Sequence, residues 1–158
     1  MGVEIERKFL ISSDLWRRGA IGVPYAQGYI TQGTRRTVRI RIAGDEAFLT
    51  IKGPVSGISR AEFEYPIPLE DARHLLKLCE GPIIQKHRFA ILHQGHCWEV
   101  DEFEGANSGL IVAEIELKNP EETVPHPDWL GKEVTGDPRY YNSNLTNHPY
   151  SQWRDDPA

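Results

Sequence analysis

A chain of 158 residues with net charge −5, a sequence pI near 5.7 and 39% hydrophobic content is one domain with room for a sizeable core, too apolar to be disordered. Its acidity argues against general nucleic-acid or anionic-membrane binding, which needs a basic surface, but leaves room for a local basic pocket. Cys79 and Cys97 lack metal-ligand spacing and read as reduced packing thiols. With no basic-then-apolar leader and no apolar run of spanning length, the expectation is a cytoplasmic protein with no membrane partner.

The segment 3–11 alternates strictly. Val3, Ile5, Phe9 and Ile11 share one face of a strand, and Glu4, Glu6 and Lys8 the other, roughly 6–7 Å apart along it. Residues 12–18 predict a short capped helix, followed by a loop holding Gly19, Gly22 and Pro24. Strands are expected at 25–31, 36–42 and 46–52, the last two joined by a hairpin turn at Ala43-Gly44-Asp45. Gly53-Pro54 stops the third of these, and 60–67 is a fifth strand. The period then changes. Leu69, Ala72, Leu75, Leu76 and Cys79 mark one helix face, entered through Pro68 and ended by Gly81-Pro82. Three more strands are expected at 83–92, 97–103 and 110–117. From Pro120 the chain is proline-rich and polar. Its aromatics Trp129, Tyr140, Tyr141 and Trp153 predict short helices packed on the body, with residues from about 146 to 158 peripheral. The domain spans 1–158, with about eight mostly antiparallel strands and few helices.

The charges on these strands are the unusual feature. Arg39 and Arg41 lie opposite Val38, Ile40 and Ile42; Thr50 and Lys52 lie opposite Leu49 and Ile51. Glu62 and Glu64, Glu99 and Asp101, and Glu114 and Glu116 occupy single faces of their strands, and so, less cleanly, do Lys86 and Arg88. An open sheet could turn such faces to water, and for any single strand that is the better expectation. Here, however, like charges are paired along each strand and the signs sort by strand. Closing the sheet into a barrel would turn the charges inward around a wet lumen, with helices covering the apolar outer face. Such a lumen suits a polyanion and a divalent metal together. Lys and Arg pair with phosphate oxygens, carboxylates suit a hard cation, and each set makes burial of the other tolerable.

At these residues the chain resembles the CYTH family, the triphosphate tunnel metalloenzymes. The E-x-E-x-K signature stands as Glu4-Ile5-Glu6-Arg7-Lys8, and the basic strands as Arg39-Ile40-Arg41, Thr50-Ile51-Lys52 and Lys86-His87-Arg88. The acidic strands stand as Trp98-Glu99-Val100-Asp101 and Ala113-Glu114-Ile115-Glu116-Leu117, so the likeness spans roughly residues 3–145. E-x-E-x-K alone is a weak pattern; five ordered strand motifs together are specific. The length and Gly28-Tyr29-Ile30 look like the compact bacterial branch.

The resemblance implies an α+β fold: an eight-stranded antiparallel closed β-barrel, a tunnel with a charged lumen covered by a few helices. It implies metal-dependent hydrolysis of a triphosphate, with metal and cations neutralising the leaving phosphate while a metal-oriented water attacks. Glu4, Glu6, Glu114 and Glu116 would hold Mg²⁺ or Mn²⁺, with Asp101 a further contributor. Lys8, Arg39, Arg41, Lys52, Lys86 and Arg88 would grip phosphates, and Glu62 and Glu64 would orient these cations. Lys8 and Tyr29 would be catalytic, Tyr29 relaying a proton to or from a Lys8 whose pKa neighbouring cations depress; packing is the equal alternative for Tyr29.

The remaining polar residues carry plainer readings. No histidine pair has zinc-site spacing, His87 is structural, and Lys132 and Arg139 lie either at one tunnel mouth or on the surface. With no evident base-recognition element, inorganic triphosphate is the leading substrate. The alternatives are a class IV-type adenylate cyclase, a thiamine or nucleoside triphosphatase, and a non-catalytic polyphosphate-binding module. A homodimer is compatible with the sequence.

Overall fold

In the computed structural model, which describes residues 2–31 and 35–155, the strands are β1 (Gly2–Ile11), β2 (Gly22–Thr31), β3 (Thr37–Ala43), β4 (Glu46–Lys52), β5 (Ser59–Pro66), β6 (Glu80–His93), β7 (His96–Phe103), β8 (Ile111–Glu116) and β9 (Leu130–Glu133). The helices are α1 (Leu69–Leu76) and α2 (Asn142–Asn147), with short 3₁₀ turns at Leu15–Arg17, Gly105–Asn107, Pro138–Tyr140 and Tyr150–Asp155. The sheet order is β5-β4-β3-β2-β6-β7-β8-β1-β9, every pairing among the described residues antiparallel. A further β1–β5 pairing, Gly2↔Glu62 to Ile5↔Ser59, closes the first eight strands into a barrel. Short β9 pairs with the far end of β1. No helix among the described residues is long and apolar enough to cross a membrane.

Local chemistry sets the hairpins. The β6–β7 turn holds Gln94 at φ 48° and Gly95 at φ 81°, the two left-handed positions that a type I′ hairpin needs. Gly81-Pro82, expected to break the chain, lies instead inside the long β6. The β2–β6 register slips between Gln27↔Ile84 and Tyr29↔Glu80, so Pro82 sits where the ladder is already interrupted and its missing N–H costs no ladder bond. β9 carries no clear alternation, which is why it reads as irregular tail in the sequence.

Three apolar clusters surround and floor the lumen. On the outside, Phe9, Trp98, Val100, Ala113 and Ile115 pack under Trp16, Leu117 and Trp129. Trp16 and Trp98 are the largest fully buried side chains among the described residues. On the opposite outer wall, Ile40 and Ala47 pack under Ala72 of α1. The third cluster joins Ile84, Phe103, Val112 and Leu10 to Val134, Tyr140, Leu145 and Trp153. Ile84, Phe103, Val112 and Leu10 are in strand phase with Lys86, Asp101, Glu114 and Lys8. The inward face is therefore charged along most of the barrel and apolar at one end. The carboxyl-terminal segment plugs that end, with Leu145 and Thr146 almost fully buried and Trp153 9% exposed. Of the tail expected to be peripheral, Thr146 and Trp153 are buried while Asn147, Tyr150, Ser151 and Gln152 are exposed; residues 156–158 of it lie outside the described residues.

Candidate active site

Strand period 2 and the closed order β5-β4-β3-β2-β6-β7-β8-β1 together sort the lumen into two walls. One arc, β4, β3, β2 and β6, presents Lys52, Arg39 and Arg41, then Tyr25, Gln27 and Tyr29, then Lys86 and Arg88. The facing arc, β7, β8, β1 and β5, presents Glu99 and Asp101, Glu114 and Glu116, Glu4, Glu6 and Lys8, then Glu62 and Glu64. Between them lies a cavity of about 390 Å³, which all of these residues line except Gln27 and Asp101. The open-sheet alternative is excluded, since the arginines and glutamates converge on an enclosed space.

Ion pairs form where the arcs meet. At one seam Lys52 Nζ donates to both oxygens of Glu4 at 2.9 Å and lies 3.4 Å from Glu62. Beside it, Arg39 NH2 donates to Thr50 Oγ1 at 3.2 Å and to Glu64 at 3.5 Å, while its buried Nε has no partner. At the other seam Arg88 makes a two-pronged contact with Asp101 at 2.7 and 2.8 Å and reaches Glu99 and Glu114 at 3.3 and 3.7 Å. Lys86 Nζ donates to Asp101 Oδ2 at 2.7 Å and Asn142 Oδ1 at 2.9 Å. The Tyr25 ring faces Arg41 and Arg88 at 5.1 Å each and Lys86 at 5.9 Å.

This crowding sets the protonation states. Burial pushes the Glu6 carboxyl well above its usual range, and neighbouring Glu114 pushes it further. Burial opposes the charge of Glu114 too, but Lys8, Arg88 and Lys86 hold it well below that range. The neighbouring carboxyls Glu6 and Glu114 are thus driven in opposite directions, Glu6 up and Glu114 down. Burial and Glu4 raise Glu62; burial, Glu4 and Glu99 raise Glu116. Burial works against the Lys8 ammonium, yet Glu114, Glu6, Glu4 and Tyr29 raise it above the ordinary lysine value. The expected depression of Lys8 is therefore overturned: its nearest charges are carboxylates, not cations. The depressed lysine is Lys86, brought to about 7 by burial, against the pull of Asp101, with Arg88 and Arg41 adding to the fall.

Asp101 also differs from expectation. It is fully buried beneath the lumen wall with both oxygens committed to Lys86 and Arg88, so it has no face to offer a metal. Tyr29 is almost fully buried, and its hydroxyl accepts from Gln27 Nε2 at 3.4 Å. His87 turns to Glu104 at 2.5 Å on the outer face. Arg139 pairs with Asp137 at 3.0 Å and stacks near Tyr140 and Trp153, away from the lumen. From that segment the cavity is lined instead by Thr135, Gly136, Tyr141, Asn142 and Ser143.

Several of these residues have no place in the sequence reading. Tyr25 and Gln27 were findable, sharing the β2 face with Tyr29. Arg60, which lines the cavity and donates to the Gly53 carbonyl at 2.7 and 3.0 Å, was findable too, in phase with Glu62 and Glu64 at the start of the strand expected at 60–67. Asn142 carries no signal at all.

Among the described residues no three Asp, Glu, His or Cys side chains are already gathered as a cation site. The donor chemistry nevertheless fits a hard cation. Glu6 lies opposite Glu116 and next to Glu114 across the β1–β8 ladder, a crowding of carboxylates that raises the Glu6 carboxyl and that a cation would relieve. Glu4, by contrast, is already held by Lys52.

Comparison with known proteins agrees with this geometry. The CYTH domain matches residues 2–144. An inorganic triphosphatase of Acetivibrio thermocellus is 49% identical over 98% of this chain and all of its own length. One of Nitrosomonas europaea is 37% identical over 90% of this chain and 95% of its own. A crystal structure of an inorganic triphosphatase, 34% identical, superposes with TM-score 0.63 over 92% of this chain and 95% of that one. The chain belongs to the CYTH domain family.

Proposed function

We propose that this protein hydrolyses a phosphoanhydride bond of inorganic triphosphate in a divalent-metal-dependent reaction. The observation that carries the reading is the opposition of a basic and an acidic wall across one enclosed cavity plugged at one end. A linear polyanion would lie against the basic arc, with the carboxylates of the acidic arc facing it as donors for a cation. Arg39, with a buried and unpartnered Nε, and Arg41 grip phosphate oxygens. Arg88 and Lys86, fixed by Asp101, do the same from β6. Lys8 holds its proton and neutralises charge developing on the leaving phosphate, as a fixed cation rather than a base. Glu6, Glu114 and Glu116 would hold Mg²⁺ or Mn²⁺, with Glu4 joining once released from Lys52. The ion would supply Lewis-acid neutralisation of phosphate oxygens.

Two aromatic faces that a nucleobase would stack on are already met by cations: Tyr25 by Arg41 and Arg88, Tyr141 by Lys8 at 5.5 Å. That favours inorganic triphosphate over ATP or thiamine triphosphate, and hydrolysis over cyclisation. A panel of inorganic triphosphate, ATP, GTP and thiamine triphosphate with each metal tests the reading. The expected result is phosphate release, fastest from inorganic triphosphate; cyclic AMP and pyrophosphate from ATP would indicate a cyclase, and tight binding without turnover a binding module.

The raised Glu6 carboxyl gives a second test. A cation that takes Glu6 as ligand competes with a proton there, so Mg²⁺ or Mn²⁺ affinity rises as pH climbs through the raised Glu6 pKa. Titration calorimetry in buffers of different ionisation enthalpy is expected to show proton release on metal binding. Proton release undiminished in Glu6→Gln would remove Glu6 from the ligand set, since the raised Glu116 accounts for only part of it.

A further inference from the structure

Asn142 stands where the apolar plug meets the charged lumen, and its side-chain oxygen is shared. Oδ1 accepts from Lys86 Nζ on β6 at 2.9 Å and from Gln27 Nε2 on neighbouring β2 at 3.0 Å. Gln27 is fully buried and turns its own oxygen to Arg41 Nε at 2.8 Å. Lys86 is equally buried and has Asp101 as its other acceptor. One oxygen from the carboxyl-terminal segment is therefore bound directly to one cation of the basic wall and, through one amide, to a second. Asn142 is itself anchored by the plug: Leu145 packs on Ile84 and Phe103 of the barrel wall, and Thr146 lies where a side chain at Gly81 would have to go.

We propose that Asn142 is a positioning residue that aims two phosphate grips at once, Lys86 directly and Arg41 through Gln27. The inference rests on the reading of the lumen as a triphosphate site and goes beyond it by assigning a role to a residue outside the strand motifs. Without the shared oxygen, Lys86 Nζ is free to swing toward Asp101 alone. The Gln27 amide then has no partner in the plug to fix its rotamer, and Arg41 loses a fixed acceptor at Nε. Neither substitution removes Lys86 or Arg41 from the wall, and both act on how these grips are aimed, so ground-state capture of the polyanion suffers more than the chemical step.

The test is steady-state phosphate release from inorganic triphosphate by Asn142→Ala, Gln27→Ala and the double variant, with thermal melts alongside. The expected result is a KM raised about 10-fold or more in each single variant, the size of a lost hydrogen bond to a charged group, with kcat within about 3-fold of the parent. The double variant should be little worse than either single one, since both break the same chain of contacts. An unchanged KM in Asn142→Ala, or fully additive effects, would overturn the proposal. If Asn142→Ala does not fold, Gln27→Met carries the test, and an unchanged KM there overturns it equally. If the parent protein releases no phosphate, the hydrolase reading fails by itself. Calorimetric affinity for inorganic triphosphate then replaces KM, with the same two outcomes for Asn142.

Discussion

Lys8→Ala is expected to lower kcat/KM for inorganic triphosphate about 100- to 1,000-fold, the usual cost of removing one preorganised charge from a dry site. Lys8 is 9% exposed, and its ammonium touches the Tyr140 carbonyl at 3.3 Å and lies over the Tyr141 ring. Its charge is directed into the cavity, among Glu4, Glu6 and Glu114. The fold should survive the change. Glu114 keeps Arg88 and Lys86 as counter-charges, and the Glu6 carboxyl, raised by burial and by Glu114, rises further once the opposing Lys8 charge is gone. Glu6→Ala is expected to abolish turnover for a different reason, loss of a cation ligand. Phosphate-release assays with a melting curve for each variant check both. Full activity in the pair would remove the lumen from consideration as the reaction site.

Asp101→Ala is expected to lower stability by about 3–5 kcal/mol, because it removes the buried carboxylate shared by Lys86 and Arg88 and leaves Arg88 only its longer contacts to Glu99 and Glu114. For a chain of this size that is a fall in Tm of roughly 6–20 °C. The charge of Asp101 is opposed by burial but held by Arg88 and Lys86, so its carboxyl titrates below the usual range. Its folded pKa lies below its unfolded one. The stability it supplies is therefore fully present above the unfolded value and is lost only as pH falls through the lowered one. The metal-free protein should show the whole Tm loss at neutral pH, and Asp101→Asn a smaller one. If Asp101→Ala instead left the metal-free Tm unchanged and weakened only metal binding, Asp101 would be a ligand and not the clamp on Arg88 and Lys86.

The local rule that made this chain legible is period 2. Glu4, Glu6 and Lys8, Arg39 and Arg41, and Glu114 and Glu116 could be assigned to common faces without any coordinates, because alternate side chains of a strand must share a side. Their signs, sorted by strand, argued for mutual compensation and hence for closure. Pairing across the barrel was not legible, because it depends on strand order. Lys86 meets Asp101 because β6 neighbours β7, and Lys52 meets Glu4 because β5 closes onto β1 and brings the ends of the sheet together. The same neighbourhoods reverse the expected lysine behaviour, surrounding Lys8 with carboxylates and setting Lys86 beside two arginines.

Alternation alone therefore determined which side chains share a face and what charge they bring, since that follows from backbone geometry within a few residues. Only the tertiary structure decided how those charges pair, that Asp101 lies beneath the wall, and that an aperiodic tail plugs one end and delivers Asn142. Contacts such as Lys86 with Asn142 and Lys8 with Tyr140 join residues 56 and 132 positions apart, and no local pattern encodes a distance closed by the whole fold.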